Sequence, residues 1–535
     1  MTRTSKLLSH GKTSDLWQKY CGFIDLSLDE FMQIQERLLL EQVQWFSQCD
    51  LGRKLIGPKL PASVDEFRQT VPFTTYADYA PYFLEKREDV LPEKPAIWMR
   101  TSGRSGEYAA KWAPLFERTW KTQLGACVLS ALIFASSRDR NDMTLEAGDN
   151  ILYTMGPPPL GLGYIAHCLL EEFPFKLVPP AEEAEALNFE QRTKRAFELA
   201  MKEGIDTFFG ISSILVRIGE QFAHGSRQRR LSRDLLQPSV MLRLAKGIIK
   251  SKLARRPMYP KDLWDIKAIL TVGMDTDIYR SKIKEYWGKE PLEFYGGTEI
   301  WMVACQTWDR DGMTFFPDMS FLEFIPEAEH LRAKGDPTYT PRTVTLREVE
   351  AGEKYEVVVT NLGGVFVRYR VGDMIRITSL RNDKLNINIP QMKFFSRCDD
   401  VIDLAGFTRL TEKAIWQAIE DSVVDYRDWT VKKEIEGNNS ILHLYLEPSS
   451  NSRSAEEIEE LVHQGLKKID GDYKDLESIT GHKALRVSLL PMGTFARYIA
   501  DRQAAGVEVA HLKPAHVNPK PDVLNRLLKI AESLK

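Results

Sequence analysis

Phe294-Tyr295-Gly296-Gly297-Thr298-Glu299 is the stretch on which the reading of this chain turns. An apolar run, Leu292 to Tyr295, ends in an aromatic ring, two glycines, a hydroxyl and a carboxylate. That order reads as a strand running into a turn. It puts polar groups at the strand's carboxyl end, where α/β folds hold phosphate-bearing ligands. The ring offers a flat apolar face and the glycines allow close approach. Thr298 can bond a phosphate oxygen and Glu299 can hold Mg²⁺. A plain Gly-Gly turn uses the same letters, so the neighbouring sequence has to decide.

Upstream, from 114 to 300, helical stretches (115–135, 189–203, 212–222) alternate with short apolar runs. The runs are Asn150 to Met155, Phe173 to Val178, Thr207 to Phe209 and Ala268 to Val272. Such alternation predicts an α/β fold with largely parallel strands. After 300 the runs become strand-rich: Met313 to Phe316, Phe321 to Ile325, Lys354 to Thr360, Val365 to Tyr369 and Met374 to Thr378. They predict a β-rich subdomain. Residues 28–46 place apolar side chains at helical spacing. Ser27 and Glu30 form a capping box there, with Leu26 and Phe31 as a hydrophobic staple.

Ser396-Arg397-Cys398-Asp399-Asp400 is a polar joint. Beyond it the pattern is mixed, with a helix over Leu410 to Ile419, a strand over Ile441 to Leu446, a helix over Ala455 to Ile469 and a strand over Ala484 to Leu489. The expected organisation is therefore a large domain over 1–396 and a small α/β domain over 397–535.

The 535 residues suffice for more than one domain, and 43% hydrophobic with 27% charged residues describes a globular protein. A net charge of −3 argues against a nucleic-acid partner. The six cysteines form no Cys-x-x-Cys pair, so they read as buried free thiols. Thr122 to Ser137 is uncharged but too short to span a bilayer, and Pro157 to Pro159 break the stretch from Asn150 to Leu170. No apolar signal core follows Met1 to Lys12, so a cytoplasmic protein is expected. Residues 226–261 gather Arg227, Arg229, Arg230, Arg233, Arg243, Lys246, Lys250, Lys252, Arg255, Arg256 and Lys261 against Asp234 alone. An amphipathic basic helix of this kind suits a membrane surface. The solvated face of a core-packed helix is the favoured reading, so membrane contact is not expected.

Three further motifs lie along the chain. Thr101-Ser102-Gly103-Arg104-Ser105-Gly106 packs two glycines and three hydroxyls into six residues and can turn them toward a phosphate chain. It lacks the Gly-Lys-Ser/Thr ending of a Walker loop. Tyr369-Arg370-Val371-Gly372-Asp373 reads as a turn after a strand, with one carboxylate suited to a ribose diol. Arg397, with Asp399 and Gly406 following, offers a fixed cation beside a candidate hinge. Each is an ordinary turn or linker when taken singly.

In this order and spacing they resemble the adenylate-forming superfamily of acyl-CoA synthetases, adenylation domains and luciferases. Within it the chain is most similar to the Gretchen Hagen acyl acid amido synthetases. Val71-Pro72, Tyr76, Asp78, Pro81, Tyr82, the Thr101 to Gly106 loop, Tyr369 to Asp373, Pro491-Met-Gly-Thr-Phe495 and His511-Leu512-Lys513 carry that likeness. The resemblance implies a large N-terminal domain of packed β-sheets with helices and a small mobile C-terminal domain. It implies ATP and Mg²⁺ as cofactors, a small carboxylic acid as substrate, and an amino acid or coenzyme A as acceptor.

By the same resemblance Thr298, Arg397 and Lys513 are catalytic. Thr101, Ser102, Gly103, Arg104, Ser105, Gly106, Tyr295, Gly296, Gly297, Asp373 and Asp399 bind the nucleotide, and Glu299 binds the metal. The acyl pocket is expected along Ile211 to Ile218 and Thr271 to Asp277. The reaction implied is carboxylate activation as an acyl-adenylate followed by amide formation. A thiol ligase and a non-catalytic nucleotide-binding protein are the alternatives. The chain departs from its family at Arg104, where a Thr is usual, and from the superfamily at Asp403, where the hinge carries Lys. It departs again at Pro514-Ala515-His516-Val517, where the family has Thr-Pro-Arg-Cys.

Overall fold

The computed structural model describes residues 13–101, 111–187, 189–223, 237–272, 276–336, 338–398, 401–404, 408–436, 439–450, 453–480, 482–504, 514–519 and 521–535. These fall into two compact units. The larger is built on the described residues up to 101, 111–371 and 375–394, and the smaller on 372–374 and those from 395 onward.

In the larger unit an N-terminal helix, α1 (Leu28–Phe46), starts where the capping box predicts. The Glu30 N–H donates to the Ser27 hydroxyl at 3.3 Å, and the Ser27 N–H donates back to the Glu30 carboxylate at 2.8 Å. A short hairpin, β1 (Ile97–Arg100) with β2 (Trp112–Leu115), follows. The chain then alternates as its pattern predicts. The order is α2 (Gly125–Ser136), β3 (Asn150–Leu152), α3 (Gly161–Glu172), β4 (Lys176–Val178), α4 (Phe189–Glu203), β5 (Thr207–Ile211) and α5 (Ser212–Ala223). It continues with α6 (Pro238–Leu253), β6 (Ala268–Val272), α7 (Thr276–Trp287) and β7 (Leu292–Gly297). Strands β8 (Trp301–Gln306), β9 (Met313–Phe315), β10 (Ser320–Pro326), β11 (Lys354–Asn361), β12 (Tyr369–Ser379) and β13 (Gln391–Arg397) come next.

All strands from β3 to β13 join one 11-stranded sheet in the order β10-β11-β12-β13-β9-β8-β7-β6-β5-β3-β4. Strands β4, β3, β5, β6 and β7 are parallel. At β7 the sense changes, because β7 and β8 form an antiparallel hairpin. The β-rich portion expected after residue 300 is thus the antiparallel half of the same sheet. Helix α2 packs on β6, β7, β8 and α3, with every residue but Ala126 buried. The uncharged stretch around it is therefore a core helix, and among the described residues no helix is long and apolar enough to cross a membrane.

Two expectations fail near residue 370. Val365 to Arg368 is not a strand but a buried loop. Its backbone is held from outside: the Val367 N–H donates to the Tyr79 hydroxyl at 2.9 Å, and Arg368 sits at φ +41°. Tyr369 to Asp373 is not a turn; it opens the long strand β12. The cause is Arg368. Its guanidinium donates to both Glu323 oxygens, at 3.0 and 2.8 Å, and to the Arg68 and Val71 carbonyls at 2.7 and 2.6 Å. All of it is buried, and Thr74 then pairs with β12 on either side of Tyr369. The Thr74 N–H donates to Arg368 O at 3.0 Å and the Arg370 N–H to Thr74 O at 2.9 Å.

The smaller unit holds a hairpin, β14 (Val401–Leu404) with β15 (Thr408–Thr411), and a sheet of β16 (Tyr426–Glu436), β17 (Asn439–Pro448) and β18 (Leu485–Leu489). Helices α8 (Glu412–Asp421) and α9 (Ala455–Ile469) cover one core built on Ile415, Trp429, Leu444 and Leu466. The helix expected from Leu410 begins two residues later, since Leu410 itself lies in β15 and Thr411 is the N-cap.

Replacing Arg368 with Ala leaves buried Glu323 with only the more distant Arg68, at 3.9 Å, as a cation, which costs about 3–5 kcal/mol. The urea midpoint of the larger unit, followed by tryptophan fluorescence, should fall accordingly, and Arg368→Ala/Glu323→Ala should recover part of the loss. An unchanged midpoint in the single variant would show that the pair does not hold this unit together.

Candidate functional site

The parallel half of the sheet directs its carboxyl ends to one edge, and the polar turns gather there. After β7 the chain turns through Thr298, Glu299 and Ile300 into β8. Gly296 is required by this hairpin itself, because a Cβ there would lie 2.0 Å from the Trp301 carbonyl oxygen. Tyr295 is buried, with the Phe394 ring 6.2 Å from its own.

The strand pair β1–β2 brings Thr101 and Lys111 together at the base of the predicted phosphate loop. The Thr101 N–H donates to Lys111 O at 2.9 Å, and the Lys111 N–H donates to the Thr101 hydroxyl at 2.9 Å. The Lys111 side chain is buried. Its ammonium lies 3.1 Å from Glu299 Oε1 and donates to the Tyr369 hydroxyl at 3.1 Å. The Tyr369 hydroxyl in turn donates to Glu299 Oε1 at 3.3 Å, and the Tyr76 ring lies 5.1 Å from the ammonium. The carboxylate expected to bind metal is thus neutralised by a lysine that sequence reasoning missed. Its signal in the sequence is a lone cation in the apolar run Ala109-Ala110-Lys111-Trp112.

A third segment closes on the same point. The Arg100 N–H donates to Pro159 O at 2.8 Å, which brings the Pro157–Leu160 loop to β1. Helix α3 starts at Gly161, where a Cβ would stand 3.3 Å from the Thr298 hydroxyl oxygen. The amino end of a helix therefore lies beside Thr298, an arrangement that favours an anion. Buried Arg192 fixes the stretch between, donating to the carbonyls of Met155, Ala184 and Leu187 at 2.6, 2.8 and 2.7 Å.

The two segments expected to line an acyl pocket also meet. Thr271 ends near the carboxyl end of β6, Ser212 opens α5 and Thr276 opens α7. Their buried hydroxyls stand 3.3 Å (Thr271 to Thr276) and 3.4 Å (Thr276 to Ser212) apart.

The larger unit thus brings together Thr101, Tyr295, Gly296, Gly297, Thr298 and Glu299, with Tyr369 added. Asp373 is buried in β12, after Gly372 at φ +78°, and Arg397 ends β13. Ser102, Gly103, Arg104, Ser105, Gly106, Asp399 and Lys513 lie outside the described residues. In the smaller unit the segment after Lys513 is held to β16. The Val431 N–H donates to His516 O at 2.7 Å and the Asn518 N–H to Val431 O at 2.9 Å. The His516 ring stacks on Trp429 at 4.4 Å between Glu412 and Asp428, whose carboxylates lie at 2.8 and 3.0 Å. Burial alone would depress its pKa, but the hydrogen bonds to Asp428 and Glu412 outweigh burial and raise it to about 9.

Residues 22–154 match the GH3 family N-terminal domain and residues 313–397 match the GH3 family central domain. Jasmonoyl–L-amino acid synthetase JAR4 of Nicotiana attenuata is 28% identical over 270 residues, which is 48% of this chain and 44% of that protein. Indole-3-acetic acid-amido synthetase GH3.15 of Arabidopsis thaliana is 35% identical over 156 residues, 27% of this chain and 25% of that protein. The sequence match therefore spans less than half the length of these relatives. The fold is shared more widely. The acyl acid amido synthetase AtGH3.15, solved with 2,4-DB, superposes with a TM-score of 0.64 at 18% identity, covering 94% of this chain and 93% of that one. The 2-hydroxyisobutyryl-CoA ligase, solved with 2-HIB-AMP, superposes with a TM-score of 0.59 at 15% identity, covering 95% and 93%.

His516 sets a pH dependence in the smaller unit. A histidine whose folded pKa exceeds its unfolded value of about 6.5 adds stability at low pH and loses it as the pH climbs through the folded value. The unit's melting temperature should therefore decline between about pH 6.5 and 9, by the equivalent of on the order of 3 kcal/mol. His516→Gln should melt lower at pH 6 and show a flat profile across that window. A parallel decline in the variant would remove His516 as the cause.

Proposed function

We propose that this chain, which belongs to the GH3 family, activates a carboxylic acid with ATP and passes the acyl group to an amino acid. The observation that carries the reading is the meeting of Thr101, Lys111, Thr298, Glu299 and Tyr369 at the carboxyl edge of the parallel strands, beside the amino end of α3. Those residues come from motifs far apart in sequence, and their convergence suits a phosphate chain.

In this reading a carboxylate oxygen of the substrate attacks the α-phosphorus of ATP. The bond to the β-phosphate breaks, pyrophosphate leaves, and an acyl-adenylate remains. An amine nitrogen then attacks the acyl carbon, AMP leaves and the nitrogen loses a proton. Positioning and charge neutralisation account for most of the first step. The loop Thr101 to Gly106, Arg104 included, holds the β- and γ-phosphates. Thr298 and the α3 amino end receive the α-phosphate, Tyr295 and the Gly296-Gly297 backbone border the adenine, and Asp373 accepts from the ribose hydroxyls. Arg397 and Lys513 supply cations, and Asp399 is the hinge about which residues 397–535 turn between the two steps. Ser212, Thr271 and Thr276 belong to the acyl pocket.

Mg²⁺ is part of the proposal. Glu299 is a single carboxylate already shared with Lys111 and Tyr369. An ion held there would take most of its oxygens from phosphate and water, as Mg²⁺ commonly does. Lys111 offsets the Glu299 charge whether or not the ion is bound, so the anionic nucleotide does not meet a bare carboxylate.

Pyrophosphate release measured against a panel of carboxylic acids tests the first step. The mass of the product formed with amino acids or with coenzyme A separates an amide from a thioester. Release that depends on the acid, with an amide product, is expected. A thioester would favour the thiol-ligase alternative, and no release with any acid would favour a non-catalytic nucleotide-binding protein. Asp373→Ala should weaken ATP binding by roughly ten- to a hundredfold, the weight of hydrogen bonds to a charged group. Unchanged ATP affinity in that variant would remove Asp373 from the site.

A further inference from the structure

Helix α6 (Pro238–Leu253) is packed the wrong way round for a helix that only closes a core. Its buried side is made of small and medium residues: Val240, Gly247 and Ser251 are buried, and Leu244 packs on the core around Trp264. Arg243 anchors that side, donating to Ala200 O at 2.9 Å. The larger apolar side chains point out. Leu242 is 73% exposed, Ile249 58% and Leu253 80%, and with a spacing of seven and four they form one stripe. Met241 at 56% and Ile248 at 47% widen it on one flank. Lys246 falls within the stripe, Lys250 and Lys252 flank it, and all three are exposed, as is Arg255 just past the helix. From Pro238 to Arg256 there is no acidic residue.

We propose that this face is a docking surface for an anionic lipid bilayer. Burying the stripe removes aliphatic surface from water, and the lysines reach past it to phosphate headgroups. Charge excludes the nearer occupants. Residues 224–236, just before the helix in sequence, add Arg227, Arg229, Arg230 and Arg233 against Asp234 alone. A second copy would set the same cations against each other. A protein partner is disfavoured by composition, since the exposed stripe has none of the aromatic anchors that dominate such interfaces. Aliphatic residues flanked by lysines with no acid are what a lipid interface selects. The helix lies on the surface under this proposal, because 16 residues including four internal cations do not span a bilayer. The proposal stands apart from the catalytic reading, since none of these residues belongs to the nucleotide or acyl segments.

Co-sedimentation of the full chain with sucrose-loaded vesicles tests it, using phosphatidylcholine alone and an equal mixture with phosphatidylserine. Binding is expected to the mixed vesicles, to weaken with added salt, and to be much lower on phosphatidylcholine alone. Lys246→Gln/Lys250→Gln/Lys252→Gln, which keeps every apolar side chain, should weaken binding by roughly tenfold or more. Leu242→Asn/Ile249→Asn/Leu253→Asn should abolish it. No binding to the mixed vesicles, equal binding to both compositions, or binding retained by the lysine variant overturns the proposal. So does a self-associated form in ultracentrifugation that the apolar variant dissolves while vesicles bind nothing.

Discussion

One buried guanidinium ties together distant parts of the larger unit. Arg368 spends its donors on Glu323 and on the carbonyls of Arg68 and Val71, with the Phe73 ring 4.1 Å away. A buried arginine and a buried glutamate are tolerable only when both are saturated, and here the backbone of residues 68–71 supplies what the carboxylate cannot. The arrangement forces Arg368 into a left-handed conformation and starts β12 at the next residue. Tyr369 is thereby fixed with its hydroxyl at Lys111 and Glu299. A stretch near the amino terminus, a strand at the far edge of the sheet and the polar cluster are thus one mechanical unit, although Arg368 itself touches none of the cluster.

The second constraint is topological. Strand β7 is parallel to β6 and antiparallel to β8, so its carboxyl end is where the sheet stops needing crossover helices and begins to fold back by hairpins. Turns at that point are short and carry polar residues that no strand ladder consumes. Thr298 and Glu299 occupy the turn, and the loops after β1, β3, β5 and β6 end on the same edge with Thr101, Gly161, Ser212 and Thr276. Gly296 illustrates how a motif residue has two duties. Its lack of a side chain reads in sequence as room for a ligand, yet the Trp301 carbonyl already claims the space.

How much of this the sequence disclosed depends on whether the cause was local. The α1 start was legible because its cap lies within four residues, and β5, β6 and β7 were legible because buried parallel strands are bare apolar runs. Val365 to Arg368 misled for the same reason in reverse: its residues are as apolar and buried as a strand, but its hydrogen bonds go to Tyr79 and Asn361 rather than to a ladder. Nothing local distinguishes the two. Lys111 was invisible because a buried lysine is identified by its partner, and Glu299 is nearly two hundred residues on. The basic helix was legible as amphipathic but not as to which side faces inward, since cations and aliphatics alternate around it. The packing of Gly247 against Leu263 and Met258 decides that.

His516 shows how its surroundings can hold a weak base as a cation. A histidine in ordinary solvent would be mostly neutral at pH 7. Here Glu412 and Asp428 face the two ring nitrogens and Trp429 lies against the ring, so the imidazole is held as a cation well above neutrality. The pair of acids is the structural cost of keeping a positive charge on the segment that Val431 pins to β16.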